Sequence, residues 1–141
     1  MTQPRMRVAA VTIGAPNPRA LVAFYARLLG WTVAHEYGPR PGDPPEGGWA
    51  QLVPPRHDLG PTLNFEFEKV YVPPVWPSVA GEQHITEHLD IGVEDLDAAV
   101  AWAIDAGAKL ADYQPQEQVR VMLDPAGHPF CLFPAADPFT D

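Results

Sequence analysis

Residues 17–31 read NPRALVAFYARLLGW, and residues 95–107 repeat the pattern of this stretch as DLDAAVAWAIDAG. Each stretch begins with a short polar residue, Asn17 or Asp95, whose side chain can accept the free backbone N–H groups of a first helical turn. Each predicted helix also stops at a glycine, Gly30 or Gly107, the residue that most readily terminates a helix. The two starts lie about 78 residues apart, so the chain is predicted to contain a duplicated helical unit.

Inside both stretches the apolar residues recur at the spacing of one helix face. They are Leu21, Phe24, Tyr25, Leu28 and Leu29 in the first copy, and Leu96, Ala99, Val100, Ala103 and Ile104 in the second. Each predicted helix therefore has one face to bury. The apolar stripe begins one turn earlier in the second copy, which indicates a shared architecture rather than an identical one.

β-Prone runs surround both predicted helices in the same order. The predicted strands cover residues 7–13, 31–37, 49–53 and 62–70 in the first half, and 84–93, 108–113, 118–123 and 130–133 in the second. The chain is thus predicted to be a single α+β domain over residues 1–141, built from two βαβββ modules at about residues 6–70 and 82–136. The proline-rich segment at about 71–81 is predicted to connect them, and residues 38–48 are predicted to form a loop.

The charge and cysteine content restrict partners and compartment. The formal charge of -9, from 18 acidic and 9 basic residues, argues against nucleic acid, because that binding needs Lys and Arg to neutralise phosphates. An anionic membrane surface is disfavoured for the same reason, whereas a cationic ligand would be attracted. The single cysteine, Cys131, forms no internal disulfide, and no segment approaches the roughly 20 apolar residues of a spanning helix. A cytoplasmic protein is predicted.

The order and spacing of several motifs resemble the vicinal-oxygen-chelate (VOC) superfamily, the glyoxalase and bleomycin-resistance fold, and its small glyoxalase-like members. The motifs are Asn17–Leu21, Phe24–Tyr25, Leu28–Trp31, His88–Ile91, Asp95–Ala99 and Asp124–Cys131. The resemblance implies two modules whose curled mixed sheets surround a cavity with helices outside, and a homodimer. The superfamily includes isomerases, epimerases, dioxygenases, thiol transferases and drug-sequestering proteins, so the reaction must be argued from the site.

The resemblance also implies where a divalent metal would bind. Metal-using relatives place one ligand on the first and last strand of each module, typically His, Glu, His and Glu. Counting from the helix motifs, these places fall near Ala10, Glu66, His88 and Cys131. Alanine cannot ligate, and a thiol in place of a carboxylate suits a soft ion such as zinc. The incomplete set favours a pocket lined with polar side chains over a metal site, and no cofactor is predicted. If a divalent metal does bind, Glu66 and His88 are its predicted ligands.

Strand parity identifies candidate catalytic residues, because alternate residues of a strand share a face. The predicted strand 84–93 places His84, His88 and Asp90 in one polar row. His88 is predicted to act as a general base with Glu66 or Asp90 as its partner, since imidazole titrates near neutrality. The alternative is that His88 forms a structural hydrogen bond or only contacts the ligand. His84 is not expected to share a metal with His88, because their Cα atoms would lie roughly 13 Å apart in a strand.

Five side chains are predicted to contact the ligand. Trp49 follows the loop and Trp76 lies in the connector, where either ring could stack on a planar or cationic ligand, with ordinary packing as the alternative. Phe67 completes the aromatic set, and the polar contacts are His84 and Asp90. Cys131 is interpreted as a small buried hydrophobe rather than a nucleophile.

The sequence therefore predicts a glyoxalase-like protein that binds a small organic molecule in a cavity and, if it is an enzyme, transforms it by lyase- or isomerase-type proton transfer. The alternative is a non-catalytic protein that sequesters a drug or metabolite, as bleomycin-resistance relatives do. A divalent-metal-dependent lyase or dioxygenase is the third reading. Binding without turnover would distinguish the second, and metal content the third.

Overall fold

A computed structural model describes residues 1–135 of the chain as two βαβββ modules. The first module contains β1 (Ala10–Ala15), α1 (Pro18–Leu29), β2 (Thr32–Tyr37), β3 (Trp49–Val53) and β4 (Thr62–Phe67), with one turn of 3-10 helix at His57–Leu59. The second contains β5 (Asp90–Val93), α2 (Leu96–Ala106), β6 (Lys109–Leu110), β7 (Arg120–Leu123) and β8 (Pro129–Pro134). The predicted end of the second module, residue 136, lies outside the described residues.

Both helices carry the predicted caps. The side chains of Asn17 and Asp95 each accept the backbone N–H three residues later, at 3.1 and 3.0 Å. The helices end at Gly30 and Gly107, and Gly30 adopts the left-handed conformation with φ 69°. The duplicated pattern in the sequence therefore marks two helices in equivalent places.

Each module forms its own four-stranded mixed sheet. The strand orders are β1-β4-β3-β2 and β5-β8-β7-β6, so the two sheets have the same topology. The first strand of each module pairs in parallel with the last, and the remaining pairs are antiparallel. The α+β class and the two-module glyoxalase and bleomycin-resistance architecture are confirmed, and the two sheets do not close into one barrel.

Helix α1 contributes to the cores of both modules. Leu21, Val22 and Tyr25 pack in the first core with residues of β3 and β4. Phe24, which is fully buried, instead packs in the second core, where its ring lies 6.1 Å from that of Phe130. One helix thus packs the two modules together through adjacent residues.

A buried polar network forms a second tie between the modules. Asp124, in the turn between β7 and β8, is only 4 % exposed. Its Oδ2 atom accepts a hydrogen bond from the Tyr25 hydroxyl at 2.8 Å and lies 2.9 Å from Nδ1 of His128. The other ring nitrogen of His128 lies 2.8 Å from the carbonyl oxygen of Gly14 in β1. The turn of the second module is thereby bonded to α1 and β1 of the first.

Two phenols beside Asp124 are held in their neutral form. Burial, and then the carboxylate, raise the pKa of Tyr25 well above its usual value of 10.0. The same two causes, in the same order, raise the pKa of Tyr71 to about 12. The Tyr71 hydroxyl donates to the carbonyl oxygen of Ala126 at 2.9 Å, so both phenols serve as hydrogen-bond donors to this turn.

The predicted strand over residues 84–93 is wrong in its first six residues, because the strand in the structure is only Asp90–Val93. β5 runs parallel to β8, with Asp90 opposite Cys131. If β5 continued towards its N-terminus in the same register, His88 would lie opposite Pro129, which has no N–H to donate, and still earlier residues would lie opposite a turn. The carbonyl oxygen of Leu89 still accepts the N–H of Cys131 at 2.9 Å, but residues 84–88 precede the strand, and strand parity does not apply to them.

Other predicted boundaries shift for similar reasons. β1 begins three residues after the predicted start, β4 ends at Phe67, and β6 is only two residues long. On α2, Ile104 was assigned to the buried stripe but is 49 % exposed. Ala103, the residue beside it, is fully buried in the second core.

Candidate functional site

The second module contains a cavity of about 440 Å³, a size typical of small-molecule sites. Its wall is mainly apolar and includes Trp76, Ile85, Val121 and Phe133. Three chemically reactive side chains lie together in the same wall, namely His88, Asp90 and Cys131. We call this space the connector cavity, because residues of the segment between the modules form part of its wall.

The connector is fixed in place over the second module by specific contacts. The indole N–H of Trp76 donates to the carbonyl oxygen of Tyr113 at 3.0 Å, and the two rings lie 5.9 Å apart. The backbone N–H of Val75 donates to the carbonyl oxygen of Gln83 at 2.8 Å. Trp76 is thus held as one wall of a cavity whose opposite wall is the sheet.

The three reactive side chains meet because of strand pairing. Asp90 and Cys131 are directly opposite each other on β5 and β8, and His88 lies just before β5. The Nε2 atom of His88 is 3.0 Å from Oδ1 of Asp90, and the Cys131 thiol also donates to this carboxylate. Asp90 is therefore an acceptor shared by an imidazole and a thiol.

This arrangement orients His88. When Nε2 donates its hydrogen to Asp90, the lone pair of the imidazole is on Nδ1, which has no hydrogen-bond partner among residues 1–135. A carboxylate on one ring nitrogen stabilises the imidazolium that forms when the other nitrogen takes up a proton. The pair has the geometry of a general base with its orienting acid.

Cys131 is held as a thiol. Burial, and then the charge and hydrogen bonding of Asp90, raise the pKa of Cys131 above its usual value of 9.0. Because the thiolate is the nucleophilic form, a raised pKa makes this residue a poor nucleophile near neutral pH.

We expect Cys131 to react slowly with iodoacetamide near neutral pH, and the Asp90→Asn variant to react severalfold faster. The amide removes the negative charge that favours the protonated thiol, so a larger fraction of thiolate forms at the same pH. The rate is measured by mass spectrometry, and the label is unambiguous because the chain has one cysteine. An Asp90→Asn rate equal to or below that of the parent protein would contradict this account.

The four-ligand metal set implied by the resemblance does not fit this chain. Ala10 offers no donor, and Glu66 lies on the first sheet with an exposed side chain. Donor atoms of His88, Asp90 and Cys131 do lie within 4.8 Å of one another. This trio differs from the set that the resemblance implies, because it contains Asp90 and lacks Glu66.

A second, larger cavity of about 750 Å³ lies between β1, the connector and the segment before β5. His84 and Glu68 are in its wall, as are Tyr25, Tyr71 and His128 of the buried network. His88 lines both cavities, so it stands at the boundary between them. Tyr25, Tyr71 and His128 already have hydrogen-bond partners in the buried network, so we interpret their role as structural.

The remaining predicted site residues lie on the first sheet. Trp49 and Glu66 are paired directly across β3 and β4, and Phe67 is the last residue of β4. None of these three is in the wall of either cavity described above. The structure therefore brings His88 together with Asp90 and Cys131, and it places Glu66 beside Trp49.

Sequence reasoning missed the part played by Tyr25, Asp124 and His128. The sequence pattern predicts Tyr25 only as part of an apolar helix face, and it gives no role to His128. A usable signal was present, since an Asp that opens a turn can accept hydrogen bonds from a His four residues later.

The two mixed sheets with one helix each, and a cavity on the second sheet, define a protein of the VOC superfamily. A family model described as a glyoxalase-like domain matches residues 10–133, and the chain belongs to that family. No match was found among curated proteins. Neither helix within residues 1–135 is long and apolar enough to cross a membrane.

Several solved structures share the fold. A glyoxalase family protein from Enterococcus faecalis is 24 % identical, with a TM-score of 0.61 over 90 % of this chain and 96 % of that one. A glyoxalase/bleomycin resistance protein/dioxygenase family enzyme from Burkholderia phytofirmans PsJN is 21 % identical, with a TM-score of 0.60 over 91 % and 98 %. Glyoxalase I of Leishmania major, described as trypanothione-dependent, is 18 % identical, with a TM-score of 0.62 over 92 % and 87 %. At these identities the likeness shows the fold alone.

Proposed function

We propose that this protein binds a small organic molecule in the connector cavity and that His88, oriented by Asp90, removes a proton from it. The observation that carries the proposal is the 3.0 Å contact between His88 Nε2 and Asp90 Oδ1 in the wall of a mainly apolar cavity. Membership of the glyoxalase-like family, whose fold builds ligand cavities on its sheets, supports this choice of site.

The chemistry follows from the groups present. An apolar wall favours a ligand with a hydrocarbon body, and the polar end of the cavity favours a carbonyl or hydroxyl group there. Nδ1 of His88 takes a proton from the carbon next to the carbonyl, and Asp90 stabilises the imidazolium. If the imidazolium returns this proton to a neighbouring atom of the carbanion, the reaction is an isomerisation. If the carbanion instead expels a leaving group, the reaction is that of a lyase. A positioned general base contributes about 10²–10⁴ in rate.

The test begins with a thermal-shift screen of small carbonyl compounds, followed by proton NMR of the stabilising compounds in D₂O. We expect the protein to exchange the hydrogen next to the carbonyl for deuterium, and His88→Gln to slow this exchange by about 10²-fold or more. His84→Gln is the matched control, because His84 lines the other cavity and is not paired with Asp90. Equal exchange by the parent protein and His88→Gln would contradict the catalytic role.

Sequestration without turnover is the second candidate. It is favoured by the exposure of the pair, since the side chains of His88 and Asp90 are 41 % and 60 % exposed and water reaches both. In that case the screen gives stabilising compounds, but the protein exchanges no deuterium into any of them. A homodimer and a cytoplasmic location also remain proposals, and light scattering of the purified protein tests the first.

A further inference from the structure

We infer that the ligand of the connector cavity is an uncharged carbonyl compound, and that the side-chain amide of Gln116 donates a hydrogen bond to its carbonyl oxygen. Gln116 lies in the wall of this cavity, in the loop between β6 and β7. The inference rests on the function proposed above and deepens it, because it names the class of ligand and the residue that selects this class.

The loop that contains Gln116 is held on both sides. The side-chain amide of Gln114 accepts the backbone N–H of Val121 at 2.8 Å and donates to the carbonyl oxygen of the same residue at 2.9 Å. The guanidinium of Arg120 donates to the carbonyl oxygen of Glu117 at 2.8 Å and to that of Gln116 itself at 3.4 Å. The backbone of Gln116 is therefore fixed at the cavity wall before a ligand binds, which reduces the cost of binding.

Gln116 provides the unused side-chain donor of the cavity wall. The indole N–H of Trp76 is already bonded to a backbone carbonyl group. His88 and Cys131 both donate to the carboxylate of Asp90, and the other side chains of the wall are hydrocarbon. Within residues 1–135 the side-chain amide of Gln116 has no hydrogen-bond partner, so its N–H groups are available to a ligand.

The proposed proton transfer requires such a donor. When Nδ1 of His88 takes the proton, the electron pair of the broken C–H bond forms a C=C bond and the carbonyl oxygen gains negative charge. A positioned N–H donor stabilises this charge more strongly than it stabilises the carbonyl group of the starting compound. The amide of Gln116 can therefore lower the barrier to the reaction as well as orient the ligand.

Charge excludes an anionic ligand from this class. The cavity wall contains the carboxylate of Asp90 but no Lys or Arg. Arg120 is close in sequence, but it lies opposite Leu132 of the second core and so projects from the other face of the sheet. A carboxylate in the cavity would be repelled by Asp90 and would favour the imidazolium form of His88, which cannot accept the proton. An uncharged ketone or aldehyde meets neither obstacle.

The test compares three compounds of nearly the same shape in ¹H–¹⁵N NMR titrations of the full chain. 1-Indanone has an uncharged carbonyl group, indane lacks this group, and indane-1-carboxylate has an anion in its place. We expect 1-indanone to bind, indane to bind about fivefold more weakly because one hydrogen bond is lost, and indane-1-carboxylate to bind about tenfold more weakly.

Substitutions of Gln116 identify the donor. Gln116→Met keeps the length of the side chain but removes both N–H groups. We expect it to weaken the binding of 1-indanone about fivefold and to leave that of indane unchanged. Gln116→Lys adds a cation to the wall and is expected to bind indane-1-carboxylate severalfold more tightly than the parent protein does. Gln118→Met is the matched control, because Gln118 belongs to the same loop but is not in the cavity wall.

Deuterium exchange at C2 of 1-indanone, next to the carbonyl group, gives a second readout. We expect Gln116→Met to slow this exchange by about 10²-fold, the range found when one donor to a developing oxyanion is removed. The inference would be overturned if 1-indanone did not bind, if the parent protein preferred the carboxylate, or if Gln116→Met bound 1-indanone as the parent protein does. Equal weakening by Gln118→Met would also overturn it. Unchanged exchange in His88→Gln, with ketone affinity lost in Gln116→Met, would instead refute the proposed base and leave the role of Gln116 standing.

Discussion

Asp124→Ala is expected to lower the free energy of unfolding by about 3–5 kcal/mol, the range found when one partner of a buried charged pair is removed. The carboxylate accepts hydrogen bonds from the Tyr25 hydroxyl and from two backbone N–H groups, and it pairs with the ring of His128. Alanine would leave these donors without an acceptor at a place that water scarcely reaches. Because Tyr25 and His128 connect to α1 and β1, the variant also weakens the tie between the modules.

Urea unfolding followed by circular dichroism measures this effect. Asp124→Asn keeps the shape and part of the hydrogen bonding, and we expect it to lose a smaller amount. Asp105→Ala is the matched control, since Asp105 is exposed on α2 and its removal should change stability by no more than about 0.5 kcal/mol. A loss below about 1 kcal/mol for Asp124→Ala would show that the network does not hold the modules together.

Phe24→Ala is expected to cost a similar amount, about 3–5 kcal/mol, because a buried phenylalanine is replaced by a cavity. Phe24 is fully buried, and it packs in the second core with Met122, Phe130 and Leu132. The loss should therefore fall on the second module, although the residue belongs to a helix of the first. Hydrogen exchange should show weaker protection of the β7 and β8 amides than of the β3 and β4 amides.

The control for this prediction is Leu110→Ala, because Leu110 is 44 % exposed at the short strand β6 and fills no core. It should cost well under the amount lost in Phe24→Ala, and exchange at β7 and β8 should change little. A uniform loss of protection across both sheets in Phe24→Ala would contradict the assignment of this residue to the second core. Retained stability would contradict the burial on which the prediction rests.

Features set by local chemistry were predictable from the sequence. The helix caps depend on a polar residue and a glycine at fixed spacing, and both helices begin and end where Asn17, Gly30, Asp95 and Gly107 predict. The prediction of a strand over residues 84–93 was wrong in part, because a strand needs a paired strand beside it and the chain next to β5 turns before Pro129. That information lies about 40 residues away, in the pairing of β5 with β8.

The candidate site was predictable in part for the same reason. His88 and Asp90 are two residues apart, so their association survived the error in the strand. Glu66 was grouped with His88 on the strength of a resemblance, whereas register places it beside Trp49. The stacked rings of Tyr37 and Trp49 depend on how the loop between β2 and β3 closes, which residue types alone do not determine.

The central claim is that the connector cavity is the principal ligand site. A ¹H–¹⁵N NMR titration with the most stabilising carbonyl compound from the thermal-shift screen tests it most directly. We predict that the largest chemical-shift changes occur at the backbone amides of His88, Asp90 and Cys131 and at the indole N–H of Trp76. Changes confined to the first sheet, with the indole N–H of Trp49 shifted and those four signals unmoved, would contradict it.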